Sequence, residues 1–139
     1  RELGFPLTFL VSSTEKEEPE ERRRLEEMGV KIVSGYQDDL FEFYRQFDLY
    51  AFPVKCSDAA IAMPLSIVEA LLAGLNVLST DFGEISTYFG GFDQVEIIDD
   101  LESLTAARLE DLATRPVMEV SDLKQFDTSQ FAQTIAGSL

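Results

Sequence analysis

Two kinds of hydrophobic pattern alternate along this chain from its first residues to its last. Short runs that place apolar residues on both faces of an extended chain are typical of strands buried on both faces. Such runs predict strands over residues 7–11, 30–33, 49–52, 75–79 and 95–98. The stretches between and after them predict helices over residues 17–28, 38–47, 64–73, 84–88, 101–113 and 128–138. The alternation predicts an α/β fold, a Rossmann-like open parallel sheet with helices on both faces.

The carboxyl edge of this predicted sheet is the expected place for a ligand. In open parallel sheets, ligands bind beyond the carboxyl ends of the strands, close to a topological switch point. The loops predicted at that edge cover residues 12–18, 34–38, 53–63 and 80–84. They contain most of the side chains that could perform chemistry.

Composition narrows the function classes. The 139 residues suffice for one domain, and a formal charge of −15 makes nucleic acid an improbable partner, since no basic surface could neutralise phosphates. No apolar run approaches the length of a membrane span, and a single cysteine, Cys56, fits a reducing compartment. We therefore expect a cytoplasmic protein without a transmembrane segment. The absence of histidine removes the commonest general base and metal ligand.

The stretch from Met63 to Thr80, MPLSIVEALLAGLNVLST, carries the strongest signal for a binding site. Pro64 is expected as the first residue of a helix, and Met63 before it has no side-chain oxygen that could cap the helix. An uncapped helix start binds anions through its free N–H groups and its macrodipole. Glu69 would lie about 6–8 Å further along the axis, on the face of the first turn. This spacing suits a ligand with phosphate at one end and a diol at the other, such as a nucleotide or nucleotide sugar.

Two segments carry a resemblance to a known family. Residues 64–85, PLSIVEALLAGLNVLSTDFGEI, and residues 34–53, SGYQDDLFEFYRQFDLYAFP, resemble the signature passages of the group 1 retaining glycosyltransferases of GT-B fold. The resemblance implies the C-terminal, nucleotide-sugar-binding half of an enzyme that transfers a hexose from a nucleoside-diphosphate donor with retention. It implies no cofactor and no metal, and it implies an N-terminal acceptor-binding domain as partner.

The same resemblance implies that residues 1–139 form a single partial domain. The family's half begins one strand–helix unit earlier, with an arginine and a lysine that hold the diphosphate, and this first unit is missing from the sequence. Arg1 to Gly4 resemble the end of its helix. We therefore expect the isolated fragment to be inactive.

Helix 64–73 supplies three site residues by resemblance. Glu69 matches the acid that accepts the ribose hydroxyls, and Leu65 and Ser66 match the residues that meet the diphosphate. Each has a plainer interpretation: Glu69 as an acid placed early in a helix for its dipole, and Leu65 as a core residue in an ordinary first turn.

Two loops supply the others. Gly35 and Tyr36 match the loop beside the nucleobase, where an aromatic ring could stack, although a tyrosine after a strand is more often packed. Gly83 matches a turn of the family and is expected to have an unusual backbone angle, with Asp81 as a turn or cap residue.

One departure from the family puts activity in doubt. The family's first acid, which contacts the transferred sugar, falls here on Ile61. Asp58 is the candidate catalytic residue in its place if the loop carries an insertion. Without that acid, the alternative is a degenerate, non-catalytic GT-B-like binding or scaffold module. A sugar epimerase of the same fold is a weaker interpretation, because such enzymes often use histidines and this chain has none.

Overall fold

The computed structural model describes residues 4–11, 19–54 and 64–117. They belong to two compact units, Arg1–Leu40 and Phe41–Leu139. In the first unit, strand β1 (Thr8–Val11) is followed by helix α1 (Pro19–Glu27) and strand β2 (Lys31–Ser34). The two strands pair in parallel, with Thr8 opposite Lys31, and α1 contacts β2.

The second unit is built on a three-stranded parallel sheet. Its strands lie in the order β3–β4–β5, with α3 and α5 in contact with the central strand. A short 3-10 helix, Leu101–Ser103, precedes the last helix. The elements from Leu40 onward are α2 (Leu40–Tyr44), β3 (Leu49–Phe52), α3 (Leu65–Leu72), β4 (Asn76–Thr80), α4 (Ile85–Phe89), β5 (Val95–Ile98) and α5 (Ala106–Ala113).

Strand β4 is the centre of the core. All five of its residues are buried, the polar Asn76, Ser79 and Thr80 as well as Val77 and Leu78, as expected for a strand with neighbours on both sides. Helices α3 and α5 contact it, and the core contains side chains with almost no exposed surface, Ile67, Phe89 and Leu112 among them. Parallel sheets with helices on both sides confirm the predicted α/β, Rossmann-like architecture. The prediction of one partial domain over residues 1–139 stays a prediction.

Glycine-terminated helices explain why β2 and β4 each begin one residue later than predicted. Gly74 has a φ of 88°, its N–H donates to Leu71, and the N–H of Leu75 donates to Ala70. These are the two hydrogen bonds of a Schellman motif, which uses the first N–H groups after the helix. Gly29 ends α1 in the same way, with a φ of 82°. Leu75, Val77 and Leu78 are 3%, 0% and 4% exposed, which confirms that the run predicted over 75–79 is buried on both faces.

Two helix predictions were too long by more than one residue at an end that the structure describes. The helix predicted over 38–47 is regular only in α2, because the N–H groups of Gln46 and Phe47 bond three residues back and tighten its last turn. The helix predicted over 101–113 is interrupted before α5, where the Thr105 hydroxyl accepts a hydrogen bond from the N–H of Arg108 and caps the new helix. The helix predicted over 128–138 lies outside the described residues. Within the described part of the chain, no helix has the length and apolar character needed to cross a membrane.

An ion-pair network joins helix α5 and the residues directly after it to strand β5. The Glu96 carboxylate on β5 accepts hydrogen bonds from Arg108 on α5 and, at 2.8 Å, from Arg115. Arg115 also donates to Asp111 and to the backbone carbonyl of Asp93. Burial raises the pKa of Glu96, but the hydrogen bonds and charges of the two arginines outweigh burial and hold it below its ordinary value.

We expect Glu96→Gln to lower the free energy of unfolding by about 1–2 kcal/mol at neutral pH, because charged hydrogen bonds of a half-buried group are lost. The pKa of Glu96 is lowered by folding, so its charge stabilises the protein above a pH of about 4.5. That contribution is lost as the pH falls through the folded pKa. Urea unfolding from pH 7 to pH 3 measures this, with exposed Glu110→Gln as the control. A difference between Glu96→Gln and wild type that persists undiminished at pH 3 would contradict the assignment.

Candidate functional site

The carboxyl edge of the three-stranded sheet carries a cleft of about 410 Å³. Its walls come from residues that follow the three strands directly. The lining residues are Val54 after β3, Thr80 and Asp81 at the end of β4, and Asp99, Asp100 and Leu101 after β5. The sequence analysis placed the loops after β3 and β4 at this edge but missed the corner after β5. The sequence could have indicated this corner, since the two acidic residues Asp99 and Asp100 come directly after the predicted strand 95–98.

Hydroxyl groups of β4 fix the end of β3 beside this cleft. Ser79 donates a hydrogen bond of 3.2 Å to the Phe52 carbonyl, and Thr80 donates one to the Val54 carbonyl. These bonds extend the sheet beyond its backbone ladder and hold the start of the loop that leads to α3. The cleft therefore has a rigid floor on its β3–β4 side.

Helix α3 begins at this same edge, because it connects β3 to β4 and the two strands are parallel. Pro64 is its N-cap, with extended angles (φ −75°, ψ 118°), and the predicted placement of Pro64 as the first helical residue was wrong by one position. The reason is that the ψ angle of Pro64 is extended and not helical, so the helix begins at Leu65. The physical consequence is unchanged: proline has no side-chain acceptor, and no side chain caps α3 among the described residues.

The first turn of α3 has one buried and one open side. Ile67 is 0% exposed and faces the core, whereas Leu65 is 62% exposed. The interpretation of Leu65 as a core residue is therefore wrong. Ser66 and Glu69 are half-buried and lie three residues apart, which places them on one face of the helix. The structure thus brings Leu65, Ser66 and Glu69 together at one helix start, as the sequence predicted.

Two tyrosines that the sequence analysis did not single out lie within the electrostatic influence of Glu69. Burial raises the pKa of Tyr44 and of Tyr50, and the negative charge of Glu69 raises both further. A hydrogen bond from the Ser66 hydroxyl works in the opposite direction on the pKa of Tyr50. Both phenols therefore stay protonated at neutral pH and can act as hydrogen-bond donors. No pattern in the sequence predicted this pair, because both tyrosines occupy ordinary apolar positions of α2 and β3.

Gly35 and Tyr36 belong to the first unit, directly after β2. Gly35 has a φ of 102°, a conformation that favours glycine, and its N–H donates to the Val11 carbonyl at 3.1 Å. Tyr36 is 86% exposed, so the interpretation of its ring as a packed side chain is wrong. The ring is open on its faces, as a stacking platform requires, and its role at a nucleobase stays a prediction.

The turn after β4 has the geometry that was predicted for Gly83. Its φ of 56° is in the left-handed region, and helix α4 begins two residues later. The Asp81 carboxylate accepts a hydrogen bond from the Ser86 hydroxyl, which is the turn role expected for it. The remaining candidate, Asp58, and its neighbour Ile61 lie outside the described residues. Residues 4–11, 19–54 and 64–117 contain no cluster of acidic or cysteine side chains that could hold a metal ion.

Comparison with known proteins adds one match. The family model described as glycosyl transferases group 1 matches residues 4–113 of the 139. The matched range includes every strand and helix from β1 to the end of α5. No curated protein and no solved structure matches the chain.

Proposed function

The chain belongs to the group 1 glycosyl transferases, and from this membership we propose that it is the donor-binding domain of a retaining GT-B glycosyltransferase. The donor would be a nucleoside-diphosphate hexose. Family membership by itself implies glycosyl transfer with a nucleotide-sugar donor. We propose in addition the GT-B architecture, the retaining mechanism, the hexose as the transferred sugar and the residues of the site.

The observation that supports the donor site best is the start of α3. It combines an N-cap without a side-chain acceptor, an outward-facing first turn and a carboxylate one turn further along the same side. The N–H groups and the positive end of the helix dipole would stabilise the negative charge that develops on the leaving diphosphate. Glu69 would accept hydrogen bonds from the two ribose hydroxyls, which are charge-assisted and therefore strong.

For Tyr36, in the first unit, the family resemblance implies the nucleobase role, in which its exposed ring would stack on the base. Gly35 beside Tyr36 has a positive φ and, as a glycine, no Cβ, so the backbone can approach a planar ring closely. Asp58, if it replaces the acid missing at Ile61, would contact the transferred sugar. The three acidic side chains of the cleft are unsuited to phosphate, so we place the diphosphate at α3 and away from Asp81, Asp99 and Asp100.

Calorimetric titration of the full-length protein with UDP, GDP and ADP tests this function. We expect one of the three to bind at least about tenfold more tightly than the others, because the nucleobase contact discriminates among them. The 139-residue chain alone should bind the same nucleotide in the millimolar range, at roughly −4 kcal/mol. If the full-length protein binds none of the three, the non-catalytic module replaces the enzyme as the better interpretation.

A further inference from the structure

The side chain of Tyr36 is exposed, yet the backbone that carries it is held by hydrogen bonds. Residues 35–37, the Tyr36 segment, follow β2 directly. The N–H of Gly35 donates to the Val11 carbonyl at 3.1 Å, which joins the segment to β1. The side-chain amide of Gln37 donates to the Gly35 carbonyl at 3.4 Å. An exposed ring on such a backbone has little freedom left to lose when a flat ligand stacks on it.

Arg22 joins the start of the Tyr36 segment to helix α1. Its guanidinium donates a hydrogen bond of 3.1 Å to the hydroxyl of Ser34, the last residue of β2. Helix α1 begins at the edge of the sheet at which β2 ends, because it follows β1 and the two strands are parallel. The bond therefore fixes the end of β2 at the residue from which the Tyr36 segment continues.

A second contact orients the guanidinium of Arg22. Its Nε atom lies 3.1 Å from the Glu26 carboxylate, one turn further along α1. The next residue, Arg23, forms the same kind of pair with Glu27 at 3.3 Å, but 79% of its side chain is exposed, compared with 36% for Arg22. Arg22 thus reaches across to β2, whereas the Arg23 pair stays within α1. Because exposed pairs contribute little to stability, Arg22 can be replaced without loss of the fold.

We propose that Arg22 is a positioning residue for the nucleobase: through Ser34 it fixes the backbone from which the ring of Tyr36 projects. The inference rests on the proposed function, because the ring of Tyr36 has a base to stack on only if the protein binds a nucleotide. Stacking requires the two ring planes to lie parallel. A ring whose backbone is already fixed loses less conformational entropy in reaching that arrangement, so the nucleotide binds more tightly. Arg22 needs no contact with the nucleotide for this effect.

Arg22→Gln and Ser34→Ala each remove one partner of the bond. In the full-length protein, titrated calorimetrically with UDP, GDP and ADP, we expect each variant to bind the nucleotide that wild type selects about three- to tenfold more weakly, within the range of one hydrogen bond. Ser34→Thr keeps a hydroxyl and should keep the wild-type affinity. Arg23→Gln is the matched control and should also keep it, because it removes the same charge from the same helix. The unfolding midpoints of all four variants should stay within about 3 °C of wild type.

The Tyr36→Ala background separates positioning from other effects. If Arg22 acts through the ring of Tyr36, Arg22→Gln causes no further loss of affinity once residue 36 is alanine. A further loss in that background, an unchanged affinity in Arg22→Gln, or equal losses in Arg22→Gln and Arg23→Gln would overturn the inference and leave the donor site on α3 intact. An unchanged affinity in Tyr36→Ala itself would do the same.

Two other outcomes would also contradict the inference. A loss of affinity in Arg22→Gln that is accompanied by an unfolding midpoint more than about 5 °C below wild type would show a structural role only. Absence of nucleotide binding by wild type would overturn the proposed function, and the inference with it.

Discussion

Glu69→Ala is expected to weaken the binding of the donor nucleotide by about 1.5–3 kcal/mol, which corresponds to a 10- to 150-fold higher Kd. The carboxylate is half-buried on the open side of α3, one turn from the helix start. Its hydrogen bonds to ribose hydroxyls would be charge-assisted and shielded from solvent by the bound nucleoside. Calorimetric titration of the full-length variant with the nucleotide that wild type selects measures the effect.

The matched control for this variant is Glu110→Ala. Glu110 is an exposed glutamate in α5, so its replacement removes the same charge from the same fold without touching α3. Its affinity for the nucleotide should equal that of wild type. An unchanged affinity in Glu69→Ala would show that Glu69 does not bind the ribose. Equal losses of affinity in both variants would show that the effect comes from the net charge of the protein.

Ile67→Ala is expected to lower the free energy of unfolding by about 2–5 kcal/mol. Ile67 has no exposed surface and lies on the buried side of α3, where its removal would leave a cavity beneath the first turn. Because native stability is only about 5–15 kcal/mol, this loss is a large share of the total. Urea unfolding followed by circular dichroism gives the difference from wild type.

Leu65→Ala provides the comparison two residues away. Leu65 is 62% exposed, so its replacement should change the free energy of unfolding by no more than about 0.5 kcal/mol. A large loss in Leu65→Ala and a small one in Ile67→Ala would mean that α3 is turned the other way. In that case Ser66 and Glu69 could not face the donor as proposed.

The strands were predictable because their pattern has a single physical meaning. A run such as that around β4, in which Leu75, Val77 and Leu78 place apolar side chains on both faces, is stable only with neighbours on both faces, and β4 is the buried centre of its sheet. The one-residue shifts of β2 and β4 were not visible in this pattern. They follow from the N–H groups of Val30 and Leu75, which the preceding helices use in their C-terminal hydrogen bonds.

The start of α3 was predictable because it depends on local chemistry. Proline followed by an apolar periodic run marks a helix start, and the spacing from Leu65 to Glu69 sets one face. The exposure of Leu65 and Tyr36 was not predictable, because it depends on which neighbours the tertiary structure brings to each residue. The pairing of the Tyr44 and Tyr50 rings was missed for the same reason, because the two residues lie on different elements and meet only in the fold.

The most direct test of the donor site compares two ligands on two proteins. The ligands are the selected nucleoside diphosphate and its 2′,3′-dideoxy form, and the proteins are wild type and Glu69→Ala, both at full length. The predicted result is that wild type binds the dideoxy ligand at least about tenfold more weakly, whereas Glu69→Ala binds both ligands alike. If Glu69→Ala still discriminates between the two ligands as strongly as wild type, the ribose is recognised elsewhere and the proposed site on α3 is wrong.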